Sequence, residues 1–226
     1  MMASRAKLIA TRLPEQPTAA VIVMHGGGSR RGNMMVSPTQ LSVLRMIPIA
    51  KRLALVGRGR LAVFRLLNST RGWDTKHTPV DDAHWALEQV RATIGRTLPT
   101  SLVGHSLGGR AALLAGSHPD VSSVVALNPY LYPADGRTDL SGRPVLIVHG
   151  TDDRIANPAT AEAVATALAR STPIRLIRVR GGKHAMLGRH RVFDGLAADF
   201  VAVTQLDAEP RGALADALAE RAWTDV

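Results

Sequence analysis

The chain has 226 residues, of which 46% are hydrophobic, and 28 Lys and Arg outweigh 18 Asp and Glu for a formal net charge of +10. That length fits one ordinary domain with apolar residues enough for a core. The absence of cysteine excludes disulfides, a thiolate nucleophile and cysteine metal sites, and no apolar run approaches the roughly 18 residues of a membrane-spanning helix.

The charge alone would suit nucleic acid, an acidic surface or anionic substrates. Its distribution speaks against the first: lysine occurs only at Lys7, Lys51, Lys76 and Lys183, and the arginines are scattered. The densest basic stretch, residues 52–60, has no interleaved aromatics to stack on bases, and aromatics are only 4% of the chain. Neither a nucleic-acid nor a membrane partner is expected. Residues 1–20 contain Thr11, Arg12 and Pro14 within their only apolar piece, which makes a poor signal peptide and leaves cytoplasmic residence as the expectation.

In chain order, residues 6–13 read as an antiparallel edge strand. Residues 19–25, 61–68, 101–105, 123–128, 144–150 and 174–179 follow as strands. Most are continuous β-branched runs, the pattern of parallel strands covered on both faces. Helices are expected at 38–55, 79–95, 108–117, 158–170 and about 188–206. Pro38, Pro79 and Pro158 stand near three of the starts, where a missing N–H costs nothing. The 38–55 segment has Pro48 inside it and reads as a kinked core helix carrying Met46, Ile47, Ile49 and Leu53. This alternation predicts a mostly parallel, doubly wound α/β sheet of about seven or eight strands with helices on both faces. We expect one domain over 1–207. A tail over 208–226, helical after Pro210, directs Leu214, Leu218 and Trp223 to one side and packs on the domain or on another subunit.

The stretch "SLVGHSLGGRAALLAG" (101–116) places Ser106 in a G-x-S-x-G pattern. Such a match arises by chance in about one chain in ten of this length at average residue usage. Here it lies between a buried-strand pattern and a small-residue helix, the setting of a strained strand–turn–helix elbow that lifts a serine oxygen from the sheet. The alternative is a serine that only caps the following helix. A catalytic serine needs a base, and the base needs an orienting acid. Downstream, one strand ends in Asp152 and Asp153, and the next in a glycine-rich loop with His184. Both lie at carboxyl ends of parallel strands, where sites of open α/β sheets assemble. Among the histidines, only His184 and His190 follow the acid; His190 falls a turn or two into the next helix. His25, His105 and His149 are read as turn fillers, and His77, His84 and His118 as surface or helix-face residues. The glycines of "MHGGGS" (24–29) bring bare N–H groups to a strand end. No Lys-Ser or Lys-Thr follows them, so no nucleotide site is expected, and neither a cofactor nor a metal is.

"GHSLGG", "HGTDDRIANP" and "GGKHAML", in that order, resemble the α/β-hydrolase superfamily, especially small lidless members similar to dienelactone hydrolases and compact carboxylesterases. The resemblance spans about 19–206. It implies an α/β-hydrolase fold without a cap domain and a serine hydrolase of the carboxylesterase or thioesterase type, the alternatives being a noncatalytic ligand-binding or scaffold protein or an amide hydrolase of the same fold. By it, Ser106 is the nucleophile, His184 the base and Asp153, three residues after the strand-end glycine, the acid, with its neighbour Asp152 the runner-up. The oxyanion donors are then the N–H of Leu107 and one from the glycine loop, Gly27 first, with Gly26 and Gly28 as alternatives. Only residues 131–143 stand where larger relatives insert a lid, so the site should be open. Trp73, Tyr130 and Leu131 are candidate pocket residues, with Asp74 and Tyr132 beside them. The substrate class implied is a small ester or thioester, an anionic one being worth testing. Nothing indicates a homo-oligomer, although one is compatible with the sequence.

Overall fold

The computed structural model describes residues 6–28, 36–73, 77–219 and 223–226. Eight strands form one sheet: β1 (Lys7–Arg12), β2 (Ala19–Met24), β3 (Leu61–Leu67), β4 (Thr100–His105), β5 (Val121–Leu127), β6 (Val145–Gly150), β7 (Ile174–Val179) and β8 (Thr224–Asp225). Their order is β1-β3-β2-β4-β5-β6-β7-β8. β1 runs antiparallel to β3, and every other neighbouring pair is parallel. The apolar runs explain this order. Every residue of β2, β4 and β6 is buried, as both-face coverage requires, whereas the edge strand β1 keeps exposed Lys7, Ala10 and Arg12.

Seven helices are described: α1 (Leu41–Leu44), α2 (Met46–Val56), α3 (Thr78–Ile94), α4 (Leu107–Ala115), α5 (Pro158–Leu168), α6 (His190–Leu206) and α7 (Gly212–Ala219). One sheet face carries α3, α4 and α5 over Ile22, Phe64, Leu102 and Ile147. The other carries α2, α6 and α7 over Val21, Val63, Val103 and Val148. Alternation along β2, Ile22 to one core and Val21 and Val23 to the other, is the two-residue strand period made visible.

The 38–55 expectation is corrected in detail. Residues 37–40 form a turn in which the Gln40 N–H donates to the Ser37 carbonyl. The helix begins at Leu41 and is interrupted at Arg45. Pro48 is the cause: it has no N–H for the Leu44 carbonyl, and its ring crowds that group. Met46, Ile49, Ala50 and Leu53 are buried, while Ile47 is only partly so. In the tail, Leu214 and Ala217 enter the α6 side of the core with Leu218 against it, whereas Trp223 lies past the helix and packs on the opposite cluster. β8 then adds to the sheet beside β7.

The topology reverses at β2. From β2 the chain moves outward to β3, then returns to the other side of β2 as β4. The loops after β2 and β4 therefore diverge at their carboxyl ends and open a crevice. Among the described residues no inserted cap covers it; residues 131–143 contribute one 3-10 turn, Pro133–Arg137.

Candidate active site

The Ser106 turn is built by close backbone packing. Ser106 has φ 57° and ψ −120°, a left-handed geometry that a non-glycine residue holds only under constraint. A Cβ on Gly104 would stand 2.1 Å from the Gly108 carbonyl oxygen, and one on Gly108 would stand 2.5 Å from the His25 carbonyl oxygen. Glycine at these two positions lets α4 start directly against β4 and β2. The Ser106 side chain makes no capping bond to α4. Its Oγ is instead 2.9 Å from His184 Nε2, which removes the helix-cap alternative.

His184 Nδ1 lies 2.8 Å from Asp153 Oδ2. Asp153 is fixed in turn: its Oδ1 accepts the N–H groups of Ile155 at 2.8 Å and Ala156 at 2.9 Å. His149 Nε2 stands 3.5 Å from Oδ2 and 3.1 Å from the Ala156 carbonyl. Burial alone would raise the Asp153 pKa, but hydrogen bonds from His149, His184, Ala156 and Ile155 outweigh it and hold the carboxyl below its ordinary range. Asp152 is exposed and, among the described residues, accepts from the Thr151 hydroxyl alone, at 3.1 Å. The geometry therefore separates the two aspartates.

His190 is the first residue of α6, exposed, with Nδ1 3.0 Å from the Leu187 carbonyl; it does not reach Ser106. His105 is buried, and its Nε2–H donates to the His184 carbonyl at 2.8 Å. Desolvation, then the neighbouring His184, lowers its pKa to about 3, so it stays neutral. His25 also has a lowered pKa, through burial, and spans its turn between the Gly26 carbonyl and the Asn68 N–H.

Sequence reasoning missed three supports of this arrangement. Asn128, at the end of β5 with φ 40°, accepts the Gly150 N–H at 2.8 Å and donates to the Lys183 and His184 carbonyls at 3.0 and 3.1 Å. One side chain thus ties the strand before the acid to the histidine loop. Arg45 donates to the Ala185 carbonyl at 3.2 Å and pairs with Asp194 at 2.7 Å, pinning the loop from the other side. Arg110, one turn after Ser106, pairs with both oxygens of buried Asp135 at 2.9 and 3.1 Å. Its guanidinium carbon lies 4.2 Å from the Trp73 ring centroid and 4.5 Å from that of Tyr132.

A cavity of about 990 Å³ opens over Ser106 and His184, lined by Gly26, Gly27, Gly28 and Leu107 as well as Trp73 and Tyr130. Both expected oxyanion residues, Gly27 and Leu107, are therefore at the cavity with the serine. Gly26 passes so near that a Cβ there would be 2.9 Å from the Ser106 Cβ. Leu131 is corrected: it is buried in the core on the α3, α4 and α5 face of the sheet, and its neighbour Tyr132 lines the cavity instead. In a segment without regular alternation, facing is set by the Pro133 turn and by Asp135, which accepts the Tyr132 N–H at 2.8 Å. Asp74 and Ser29 lie outside the described residues. Among the described residues no cluster of three His, Cys, Asp or Glu is arranged to hold a metal ion.

The structure is similar to several solved ones. Est1E from Butyrivibrio proteoclasticus superposes with a TM-score of 0.64 at 16% identity, over 90% of this chain and 94% of that one. An alpha-beta serine hydrolase homologue from Coxiella burnetii gives 0.68 at 19% identity, over 87% and 92%. An a/b serine hydrolase without lid from Xanthomonas campestris gives 0.66 at 20% identity, over 91% and 90%. No curated protein matches the chain. The model of the alpha/beta hydrolase family matches residues 77–205, more than half of the sequence and the part that contains Ser106, Asp153 and His184. With the eight-stranded sheet and the topology already described, that match makes this chain a member of the alpha/beta hydrolase family.

Proposed function

We propose that the protein is a serine hydrolase that cleaves a small ester or thioester through an acyl-enzyme, with Ser106, His184 and Asp153 as its triad. The observation that carries this reading is the continuous hydrogen-bond chain from Ser106 Oγ through the His184 ring to Asp153, at 2.9 and 2.8 Å. His184 Nε2 takes the serine proton as Oγ attacks the acyl carbon. Asp153, acceptor-only because its pKa is depressed, keeps the remaining ring proton on Nδ1 and favours the imidazolium that forms. The leaving group departs with the proton from Nε2, and water then repeats the sequence to release the acid. The Leu107 N–H, at the start of α4, and the Gly27 N–H serve as oxyanion donors at the cavity. Two of the structurally similar proteins carry serine hydrolase in their descriptions.

The test is hydrolysis of a soluble aryl ester by the wild-type protein and by Ser106→Ala and His184→Ala. Each replacement should lower turnover by at least about a hundredfold, and by many thousandfold if the two act as one unit. Circular dichroism should be unchanged. Wild-type turnover in either folded variant would remove that residue from the mechanism.

A further inference from the structure

The walls of the cavity are unlike the rest of the surface. Among the described residues the large hydrophobic side chains left exposed are few, and Leu41, Leu44, Tyr130, Tyr132, Ile155 and Leu187 all line this one cavity. Leu41 is 83% exposed and Leu187 69%. Such a concentration on one concave patch marks a binding surface rather than ordinary scatter. It comes from four separate segments: the first turn of α1, the loop after β5, the acid loop and the histidine loop. All four converge on Ser106.

The charge of the patch is equally informative. The chain carries +10, yet Arg45 is the one charged Lys, Arg, Asp or Glu among the described lining residues. Its guanidinium is already committed to Asp194 and to the Ala185 carbonyl, with its side chain 8% exposed. Arg110, the basic residue nearest Ser106 in sequence, is held behind the aromatic wall by Asp135. Arg154, Lys183 and Arg189 are exposed but do not line the cavity. Arg71 packs beside Gly27 but is not part of the lining, so among the described lining residues a free carboxylate or phosphate would meet apolar walls and no unpaired cation, a costly burial.

We propose that this cavity receives an uncharged aliphatic chain of the substrate, so that the preferred substrates are neutral esters with an extended acyl or alkyl chain rather than acetyl esters or acids. The inference rests on the hydrolase reading above, and its volume of about 990 Å³ lies at the upper end of the ~300–1,000 Å³ range of ligand pockets. A half-buried methylene contributes about twofold in kcat/KM, from the usual transfer value of about 0.8 kcal/mol for a fully buried one. Acetyl to octanoyl therefore predicts a rise on the order of fiftyfold if the chain lies along this wall.

The experiment measures kcat/KM for two series below their micellar concentrations: one aryl alcohol esterified with two- to eight-carbon acids, and one short acid esterified with lengthening alcohols. One series should rise with chain length, and an ω-carboxylate analogue of the best chain should be at least about tenfold poorer. In the Leu41→Ser, Leu187→Ser double variant, both sites being exposed, the long-to-short ratio should fall about fivefold or more. Flat profiles in both series, or a carboxylate analogue as good as the neutral one, overturn the inference. If short esters are hydrolysed while chain length is ignored, the hydrolase reading stands and only this inference falls. If no ester is turned over by folded protein, both fall.

Discussion

Replacing Gly104 by alanine tests whether the Ser106 turn depends on close backbone packing. The added Cβ would sit 2.1 Å from the Gly108 oxygen, 2.3 Å from its carbonyl carbon and 2.6 Å from the Gly109 nitrogen. All three atoms belong to the backbone of the first turn of α4, so no side chain can rotate away. Relief requires α4 to retreat from β4 by about an ångström. Gly108 itself has the β2 end against its other side, so the retreat disturbs the glycine loop as well. Overpacking of this kind costs about 1–3 kcal/mol, and rigid backbone puts this case at the upper end. For a domain of this size, 3 kcal/mol lowers Tm by about 6–12 °C. A displacement of about 1 Å at the nucleophile lowers turnover about a hundredfold. Differential scanning calorimetry and ester hydrolysis read the two effects. Gly188→Ala, where a Cβ meets nothing within 4 Å, is the control and should shift Tm by no more than a degree or two. A Gly104→Ala protein with wild-type Tm and turnover would refute the packing argument.

Other perturbations address the supports. Asp153→Asn should reduce kcat by about 10³–10⁴ with the fold intact, because an amide can hold the wrong tautomer of His184; a loss under tenfold contradicts the orienting role. Because the folded pKa of Asp153 is depressed, its stabilising contribution is complete above the ordinary value of 3.8 and is lost as pH falls toward the folded value. The stability gap between wild type and Asp153→Asn in urea should therefore shrink below about pH 4, and a gap that widens there has the wrong sign. Arg110→Met strands a buried carboxylate and should cost about 3–5 kcal/mol in denaturant unfolding, with much of it restored by adding Asp135→Leu; additive losses would show that the pair is not coupled. Asn128→Ala should lower kcat more than it changes KM, since it frees the histidine loop without touching the apolar walls, and proportional changes in both would point to a wider collapse.

The sheet was legible in the sequence because parallel strands buried on both faces leave a strong signature, and residues 19–24 and 145–148 are apolar without interruption. The elbow was legible because its glycines answer a local steric demand. The preference for Asp153 over Asp152 came from resemblance, and its physical basis appears only in three dimensions, where the Ile155 and Ala156 N–H groups fix one carboxylate and leave the other in solvent. Asn128 could not be distinguished from an ordinary turn residue, since its three partners are 22 to 56 positions away. Arg45 and Arg110 read as scattered surface arginine, and their burial depends on Asp194 and Asp135 arriving from distant segments. Leu131 and Tyr132 could not be ordered because an irregular segment has no period from which to assign faces.

The most direct measurement is intact-mass analysis after exposure to a fluorophosphonate probe, for wild type, Ser106→Ala and His184→Ala. Labelling requires a serine already activated by its base. One adduct on wild type, located at Ser106, absent from Ser106→Ala and strongly slowed in His184→Ala is the predicted result. Unlabelled wild-type protein with a native fold, or equal labelling of the Ser106→Ala variant, would contradict the triad.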